Sequence, residues 1–543
     1  MSKVIKTVAL VAIAVAIVVF AAPIAGALAG LGAGIASAAT IAAVTASVVG
    51  VGISLGISAA LSLFRKAPSI SQSSVQRLSQ SIDPTAYRKI IFGRTAAGND
   101  MRFAENAYGS KSDQSAYVIA LASHKVNAIK TFYVEDDVAW NGSIIKPGLI
   151  GFRAVTEGNS SNGQALGSGR YWNNTATFTG CAYIGLTWKN DPKLLPNGIP
   201  TKTVTIVEGC PVYDPRRDSA NGGSGSHRPD NQNSWGWSAD GVDSGRNPAL
   251  ALLTYLIGWK INGSLVWGMG VPLSRINLDS FRAYANICEE AVSLSSGGSV
   301  QRYTIDGIFS TSDSHESIIS AITACMGSCK LNDLGGQYQL VGGYDDTLGP
   351  KIDFDENDLV GPVGQPTPYS WVPAPSIRDT FNIASGRFAN PSGLFQLDSW
   401  GTIITAPQAD GIPRTMTLDF GAVTRAETCQ RIAKQFLLKE AKCPGVFTAL
   451  FGPKAFAVQV GSLVTLSLGP QGWNKKLFRV QAQAETHDLL FQMTLREESS
   501  EVYAWDREEK PLPFTIRPPG YDPLSVPAVE GLRLNTTVYE GVA

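Results

Sequence analysis

Hydrophobic positions along this chain recur at two periods, and the two periods divide it into strands and helices. Period two, the mark of a half-buried strand, dominates. Tyr87 to Gly93 and Ala116 to Ala122 predict strands. A third run, Ala128 to Trp140, contains Phe132-Tyr133-Val134 and closes on Asn141-Gly142, a pair that favours a hairpin turn. Gly151 to Gly209 mixes short strands with Asn, Ser and Gly turns. Further strands are predicted around Arg302 to Ile308 and Tyr338 to Gly343. Near the C-terminus Phe478, Val480, Ala482 and Ala484 alternate with Arg479, Gln481, Gln483 and Glu485. Phe491, Met493 and Leu495 alternate with Gln492, Thr494 and Arg496. Both runs predict antiparallel strands with one wet face.

Helical spacing appears in four windows. Asn247-Pro248 supplies an N-cap and a first-turn proline before Leu252, Leu253, Leu256 and Ile257. Leu278, Phe281, Ala285, Cys288 and Val292 mark a second helix. Asp313 with Glu316 forms a capping-box pattern ahead of Ile318, Ile319, Ile322 and Met326. Thr424 and Glu427 are placed to cap a fourth, whose core face is Cys429, Ile432, Ala433 and Phe436. Asp214 to Arg246 is a long polar loop holding Trp235 and Trp237. A loop of that length is usually functional or covers a neighbour. The fold class expected is multidomain α+β, mainly antiparallel β with short helices. The expected organisation is an apolar hairpin over 1–66, a linker over 67–84, a β-rich domain with an inserted β region and the long loop over 85–246, and a helical segment over 247–300. A small α+β domain over 301–350, a β-rich domain with one capped helix over 351–510 and an extended Pro-rich tail over 511–543 follow.

The N-terminus obeys neither period. From Thr7 to Phe64 there is no Asp, Glu, Lys, Arg or His, and one membrane crossing needs about 20 apolar residues. Two helical arms, Val8 to Ala22 and Ile35 to Phe64, flank Pro23 and a glycine-rich middle. Gly26, Gly30 and Gly34 repeat every four residues, and Gly52 and Gly56 do so again, which on a helix makes a smooth stripe for close packing. Three readings stand: a signal peptide behind Lys3 and Lys6, a permanent membrane anchor, and a helical hairpin shielded inside an assembly. The averages hide this segment. Over 543 residues Lys plus Arg is 45 and Asp plus Glu is 45, and mean hydropathy is +0.03. The balance argues against a generic nucleic-acid binder, and 17% charged with 9% aromatic residues argues against a disordered chain.

Candidate chemistry is thin. Seven cysteines (181, 210, 288, 325, 329, 429 and 443) include no Cys-x-x-Cys pair. Cys325 and Cys329, one helical turn apart on the predicted helix, lack a histidine at ligand spacing, so buried thiols are the expectation and no metal or cofactor is assigned. His124, His227, His315 and His487 stand in no catalytic motif, His227 lying beside Asp230 in the loop. Asp353, Asp355, Glu356 and Asp358 lack the glycine and terminal glutamate of a calcium loop, which leaves a solvated turn. Eleven tryptophans fall mostly in strand-like runs where core packing is the default. No catalytic residue is assigned, and the chain is not expected to be an enzyme.

The order of certain segments resembles the tail-tip hub proteins of long-tailed siphovirus phages, the group of the lambda tip attachment protein and the gene transfer agent hub. The segments are Arg88-Lys89-Ile90-Ile91-Phe92-Gly93-Arg94, then Tyr117 to Ala122, then Ile129 to Gly142. The block Asn247-Pro248-Ala249-Leu250 through Leu256, with Gly268-Met269-Gly270-Val271-Pro272, Ile276 and Phe281 to Glu290, is similar to the family's Asn-Pro-Ala helix, its Gly-x-Gly-x-Pro turn and its next helix. Tyr303-Thr304-Ile305-Asp306-Gly307 and Gly335-Gly336-Gln337-Tyr338 resemble the domain after that. The resemblance spans roughly residues 85 to 505.

It implies a trimeric virion protein that closes the distal end of the tail tube, with first β domains imitating tube subunits and with no catalytic centre. Expected partners are two further copies of the chain, other tail-tip and distal tail proteins, the tape measure protein and the host membrane on infection. Phage DNA would pass the lumen without sequence-specific binding, because phosphate contacts need Lys and Arg clusters that the sequence lacks. Family members of the lambda type are longer, and Val526 to Leu532 looks like the lead into a further module, so a separate fibre or receptor-binding protein is expected. Three copies would bring six small-residue helices together as a lumen plug or membrane-inserting element. The alternative is a membrane-anchored or secreted β-rich adhesin.

Overall fold

The computed structural model describes residues 86–512, apart from 99, 160–170, 173–175, 328, 343–351, 362–367, 375–379, 406–410 and 487–488. The predicted apolar hairpin, its linker, His487 and the Pro-rich tail beyond residue 512 therefore lie outside the described residues. Within them the fold is α+β, with antiparallel and mixed sheets and four short α-helices.

The first part of the chain gives β1 (Lys89–Phe92), β2 (Arg94–Gly98), β3 (Asp100–Tyr108), β4 (Gln114–Ala122), β5 (Ala128–Val134), β6 (Asp137–Trp140), β7 (Leu149–Val155), β8 (Ala182–Lys189) and β9 (Thr203–Glu208). Two four-stranded sheets form, ordered β2-β9-β5-β6 and β3-β4-β8-β7. Ile119, Leu121, Phe132, Val134, Leu149, Ile184, Leu186, Trp188 and Val207 make their shared core. The predicted run Ala128 to Trp140 is two strands rather than one. The hairpin turn falls at Glu135-Asp136, both at positive φ (52° and 77°), the backbone of a two-residue primed turn. Asn141-Gly142 makes a second turn, closed by the bridge between Trp140 and Ile144.

The middle begins with α1 (Pro248–Ile257), then β10 (Trp259–Ile261), β11 (Ser264–Trp267), α2 (Leu278–Glu289), β12 (Ala291–Ser293), β13 (Ser299–Gln301), β14 (Gly307–Ser310), α3 (His315–Ala324), β15 (Cys329–Leu334) and β16 (Gln337–Gly342). Asn247 caps α1 as the sequence predicts, its side chain accepting from the Ala249 and Leu250 amides. Val292 leaves its expected helix and lies in β12. The cap of α3 is Ser314, not Asp313, because the Asp313 carboxylate turns back to the Ser310 amide at 2.9 Å. Cys325 and Cys329 are not a helical turn apart: α3 ends at Ala324 and Cys329 opens β15.

The last part holds β17 (Ile352–Phe354), β18 (Tyr369–Val372), β19 (Ile383–Asn390), β20 (Gln396–Ile404), β21 (Thr415–Thr417), α4 (Ala426–Lys442), β22 (Val446–Phe451), β23 (Leu463–Leu468), β24 (Trp473–Glu485) and β25 (Phe491–Glu497). β20-β19-β21 is a small sheet against α4. A six-stranded sheet, ordered β17-β23-β24-β25-β22-β18, has its own core of Phe354, Phe447, Phe451, Leu466, Phe478, Met493 and Leu495. β24 departs from its predicted alternation. A bulge between Val480 and Ala482 reverses the facing beyond it, so Ala482 and Ala484 are exposed; Arg479, before the bulge, is buried with its guanidinium on Glu498. An extra residue in one strand exchanges its faces in this way.

β1 and β14 join the first two parts. They pair antiparallel, Ile91 opposite Ile308 and Ile90 opposite Phe309, and the ribbon is buried on both faces. Ile91 and Ile308 enter the core of the first two sheets. Ile90, Phe92 and Phe309 enter the central core with Trp259, Trp267 and the faces of all four helices. Each such side chain contributes roughly 1.5–3 kcal/mol by burial. Ile91→Ala should therefore destabilise the protein by about 2–5 kcal/mol, read as a lower denaturation midpoint. A change below about 1 kcal/mol would contradict the two-faced packing.

Candidate functional site

The segments Tyr303 to Gly307, Arg88 to Arg94 and Asn247 to Leu256 come together at a buried polar node built on Asp306. The backbone from Arg302 to Asp306 was expected to be strand, but only Gly307 onward pairs. The irregular stretch is nevertheless buried, and its amides are satisfied by three separate segments: Arg302 by Glu290 O (2.8 Å), Tyr303 by Cys288 O (3.1 Å), Ile305 by Arg246 O (2.8 Å) and Asp306 by Ala422 O (2.7 Å). Buried backbone needs such partners whatever its conformation.

The Asp306 carboxylate, 0% exposed, accepts from Arg246 Nε at 2.8 Å and Arg246 Nη2 at 2.7 Å. It also accepts from the Arg94 amide at 2.7 Å and from the Thr424 hydroxyl. Thr424 is thus not the helix cap: Arg425 occupies that position with no side-chain cap bond, because the carboxylate offers the hydroxyl a stronger, charge-assisted partner. Burial pushes the Asp306 carboxyl up, but the Arg246 charge and the three donors outweigh it and hold it below the usual range. At Gly93 (φ +71°) an added Cβ would lie 1.8 Å from Ile305 O, so the corner between β1 and β2 fits against this backbone only as glycine.

A second set of bonds extends the node. Asn247 donates to Ala285 O (2.9 Å) and to Glu289 Oε1 (3.0 Å), tying α1 to α2. Glu289 also takes two bonds from Arg216, which binds Asp214 as well. The long loop is thereby pinned over the central core, where Trp235 is buried. Inside the loop Asp218, also 0% exposed, accepts from Tyr213 Oη (2.7 Å), the Ala220 amide (2.8 Å), Asn221 (2.8 Å) and Arg228 (2.9 Å). At the far end of α1, Met269 and Val271 amides reach Tyr255 O (3.0 Å) and Leu256 O (2.8 Å). The Gly268 to Pro272 turn is therefore the cap that occupies the helix's last carbonyls. Next to the six-stranded sheet, Glu498 repeats the pattern with Arg479 (2.6 Å), Lys439 (3.2 Å) and Tyr503 Oη (3.1 Å).

These groups hold elements together. His124 Nε2 accepts from the Ile91 amide at 2.9 Å, His227 Nδ1 accepts from the Asp214 amide at 3.1 Å, and His315 Nδ1 meets Tyr255 Oη at 2.7 Å. Burial raises the thiols of Cys210, Cys288, Cys325's neighbours Cys329 and Cys429, and Cys443, which makes them poor nucleophiles. Among the described residues no group of three His, Cys, Asp or Glu side chains is placed to hold a metal ion, and no helix is long and apolar enough to cross a membrane. Asp355 and Asp358 form a reciprocal capping box around Glu356–Asp358, while Asp353 binds Thr465 and Lys475. A cleft of about 940 Å³ lies between α3, the β15–β16 ribbon, α4 and β24, with Ser320, Lys330, Tyr338, Phe436 and Lys439 on its walls. Gly26, Gly30, Gly34, Gly52 and Gly56 lie outside the described residues. The sequence marked the Asp306 block only through the resemblance; a carboxylate's burial and its distant arginine leave no local signal.

No protein-family model and no curated protein matches the chain. Among solved structures the chain is similar to one from the virion of a native gene transfer agent particle, at 16% identity and a TM-score of 0.48 over 84% of this chain and 97% of that one. It is also similar to the tail protein from Neisseria meningitidis MC58, at 9% identity, a TM-score of 0.28, and 77% and 98% coverage. A third similarity is to the 43 kDa tail protein of prophage MuSo2 from Shewanella oneidensis, at 8% identity, a TM-score of 0.26, and 77% and 100% coverage.

Removing Arg246 would leave a buried, charged Asp306. Arg246→Met should cost about 3–5 kcal/mol, and Arg246→Met with Asp306→Leu should recover much of it; additive losses in denaturant titrations would contradict the pairing. The Asp306 carboxyl is held below its ordinary 3.8, so its stabilisation is complete above that value and fades as pH falls through the lower, folded one. Asp306→Asn should therefore flatten part of the acid limb of stability against pH. An unchanged acid limb would contradict it.

Proposed function

We propose that this chain is a structural virion protein, the trimeric hub at the tip of a siphovirus tail. The observation that carries this reading is where the resembling blocks meet. The β1 block, the Asn247 helix with its Gly268 turn, and the Asp306 block are distant in sequence. Together they form one polar seam between the first sheets and the central core. A part that holds its shape inside a larger assembly needs such a seam, whereas a catalytic centre needs groups left available for substrate.

In this role three copies close the distal end of the tube and contact other tail-tip proteins and the tape measure. DNA slides through without sequence-specific binding, and a separate fibre protein recognises the host. The segment Thr7 to Phe64, with its stripe of Gly26, Gly30, Gly34, Gly52 and Gly56, packs as a helical plug in the lumen or enters the host envelope during delivery. The same charge-free segment behind Lys3 and Lys6 favours one other reading, an anchored or secreted adhesin.

Native mass spectrometry of the intact protein from particles should give three copies per assembly; a monomer would contradict the hub. N-terminal sequencing that showed removal of the apolar segment would favour the adhesin. Gly30→Leu with Gly34→Leu should block close helix packing and lower particle infectivity. Normal assembly and delivery would remove the plug from the account.

A further inference from the structure

The outer edge of β1 is completed by a side chain where a sheet would supply a backbone carbonyl. One edge of β1 pairs with β14. On the other, Ser123 donates to Lys89 O (3.0 Å) and Cys210 donates to Ile91 O (2.8 Å). A further group on this edge, the Ile91 amide, donates to His124 Nε2 at 2.9 Å. The ring is held in the tautomer that accepts there, because Nδ1 lies 2.7 Å from Lys125 O and donates to it. Trp259 and Trp267 pack against the ring at 5.8 and 5.5 Å, and His124 is 0% exposed.

A proton on Nε2 would set a donor against the Ile91 donor in a site that water does not reach. The bond would be lost, and a buried N–H would stand without an acceptor. We propose that His124 is an acid-sensitive latch, whose protonation releases β1, and with it the β1–β14 ribbon, from the body of the protein. The inference rests on the ribbon alone and stands apart from the proposed function.

The titration supports the geometry. The ring is lowered from 6.5 to about 4, by burial first, with the Lys125 carbonyl opposing. The charged groups on the elements packed against it are Lys89 on β1, which donates to Gly98 O at 2.9 Å, Lys260 on β10, and Lys125 beside it, which pairs with Glu157 at 3.5 Å. The Cys210 thiol is held neutral by burial. None of these adds to the shift of the ring. The opened state takes up the proton near 6.5 and the closed state only near 4. The closed state is therefore fully favoured above 6.5, loses its advantage as pH falls between the two values, and loses no more below them.

Hydrogen exchange of the full-length protein, corrected for intrinsic rates, tests this on peptides spanning Lys89–Phe92 and Gly307–Ser310. Their opening constant should rise about fortyfold in all between pH 6.5 and 4.5, while β22 and β25 keep their protection. In His124→Gln, a neutral acceptor at the same reach, the ribbon should show no such rise. A ribbon constant that ignores pH in the wild type, or one that rises equally in the variant, would overturn the latch. If His124→Gln does not fold, the wild-type slope decides alone: one proton per opening supports the latch and zero contradicts it.

Discussion

Strand β1 has no solvent side, and the rest of the structure follows from that constraint. Its alternate residues enter two different cores, Ile91 one and Ile90 with Phe92 the other. One edge is paired with a strand more than two hundred residues away. The other is completed by the loops after β4 and β9. A strand placed like this fixes the distance and rotation between the layers on either side of it. Gly93 then turns the chain directly against Ile305, which brings the backbone amide of Arg94 to Asp306.

The polar node gains its worth from this setting. An isolated buried ion pair stabilises little, because desolvation offsets the attraction. Asp306 differs in taking four donors from three segments, so its lone pairs are filled and each segment is held in register. Glu498 and Asp218 do the same for the last sheet and the long loop.

Local signals were legible and distant ones were not. Asn247-Pro248 marks a helix start because its cap bonds lie within three residues. Thr424 carries the same signal, yet its hydroxyl goes to Asp306, a competitor that sequence spacing does not reveal. Glu135-Asp136 makes the hairpin without the glycine or asparagine that normally marks one, while Asn141-Gly142 advertised a turn a few residues late. The bulge after Val480 exchanged the faces of β24 because one unpaired residue changes a period-two pattern without changing composition. β1 was readable as a strand, but neither its partner nor its second buried face was. The glycine-striped segment was readable as apolar, and it lies outside the described residues.

The ribbon and its polar node tie the first two sheets and the helical core into one cooperative body. Native-state hydrogen exchange in sub-denaturing guanidinium measures this directly, by comparing the free energies of opening for amides in β4 and β8 with those in α1 and α4. In one cooperative body the two sets converge on a common value as denaturant rises. First-part sheets that open together at a distinctly lower free energy, while α1 and α4 stay protected, would contradict it.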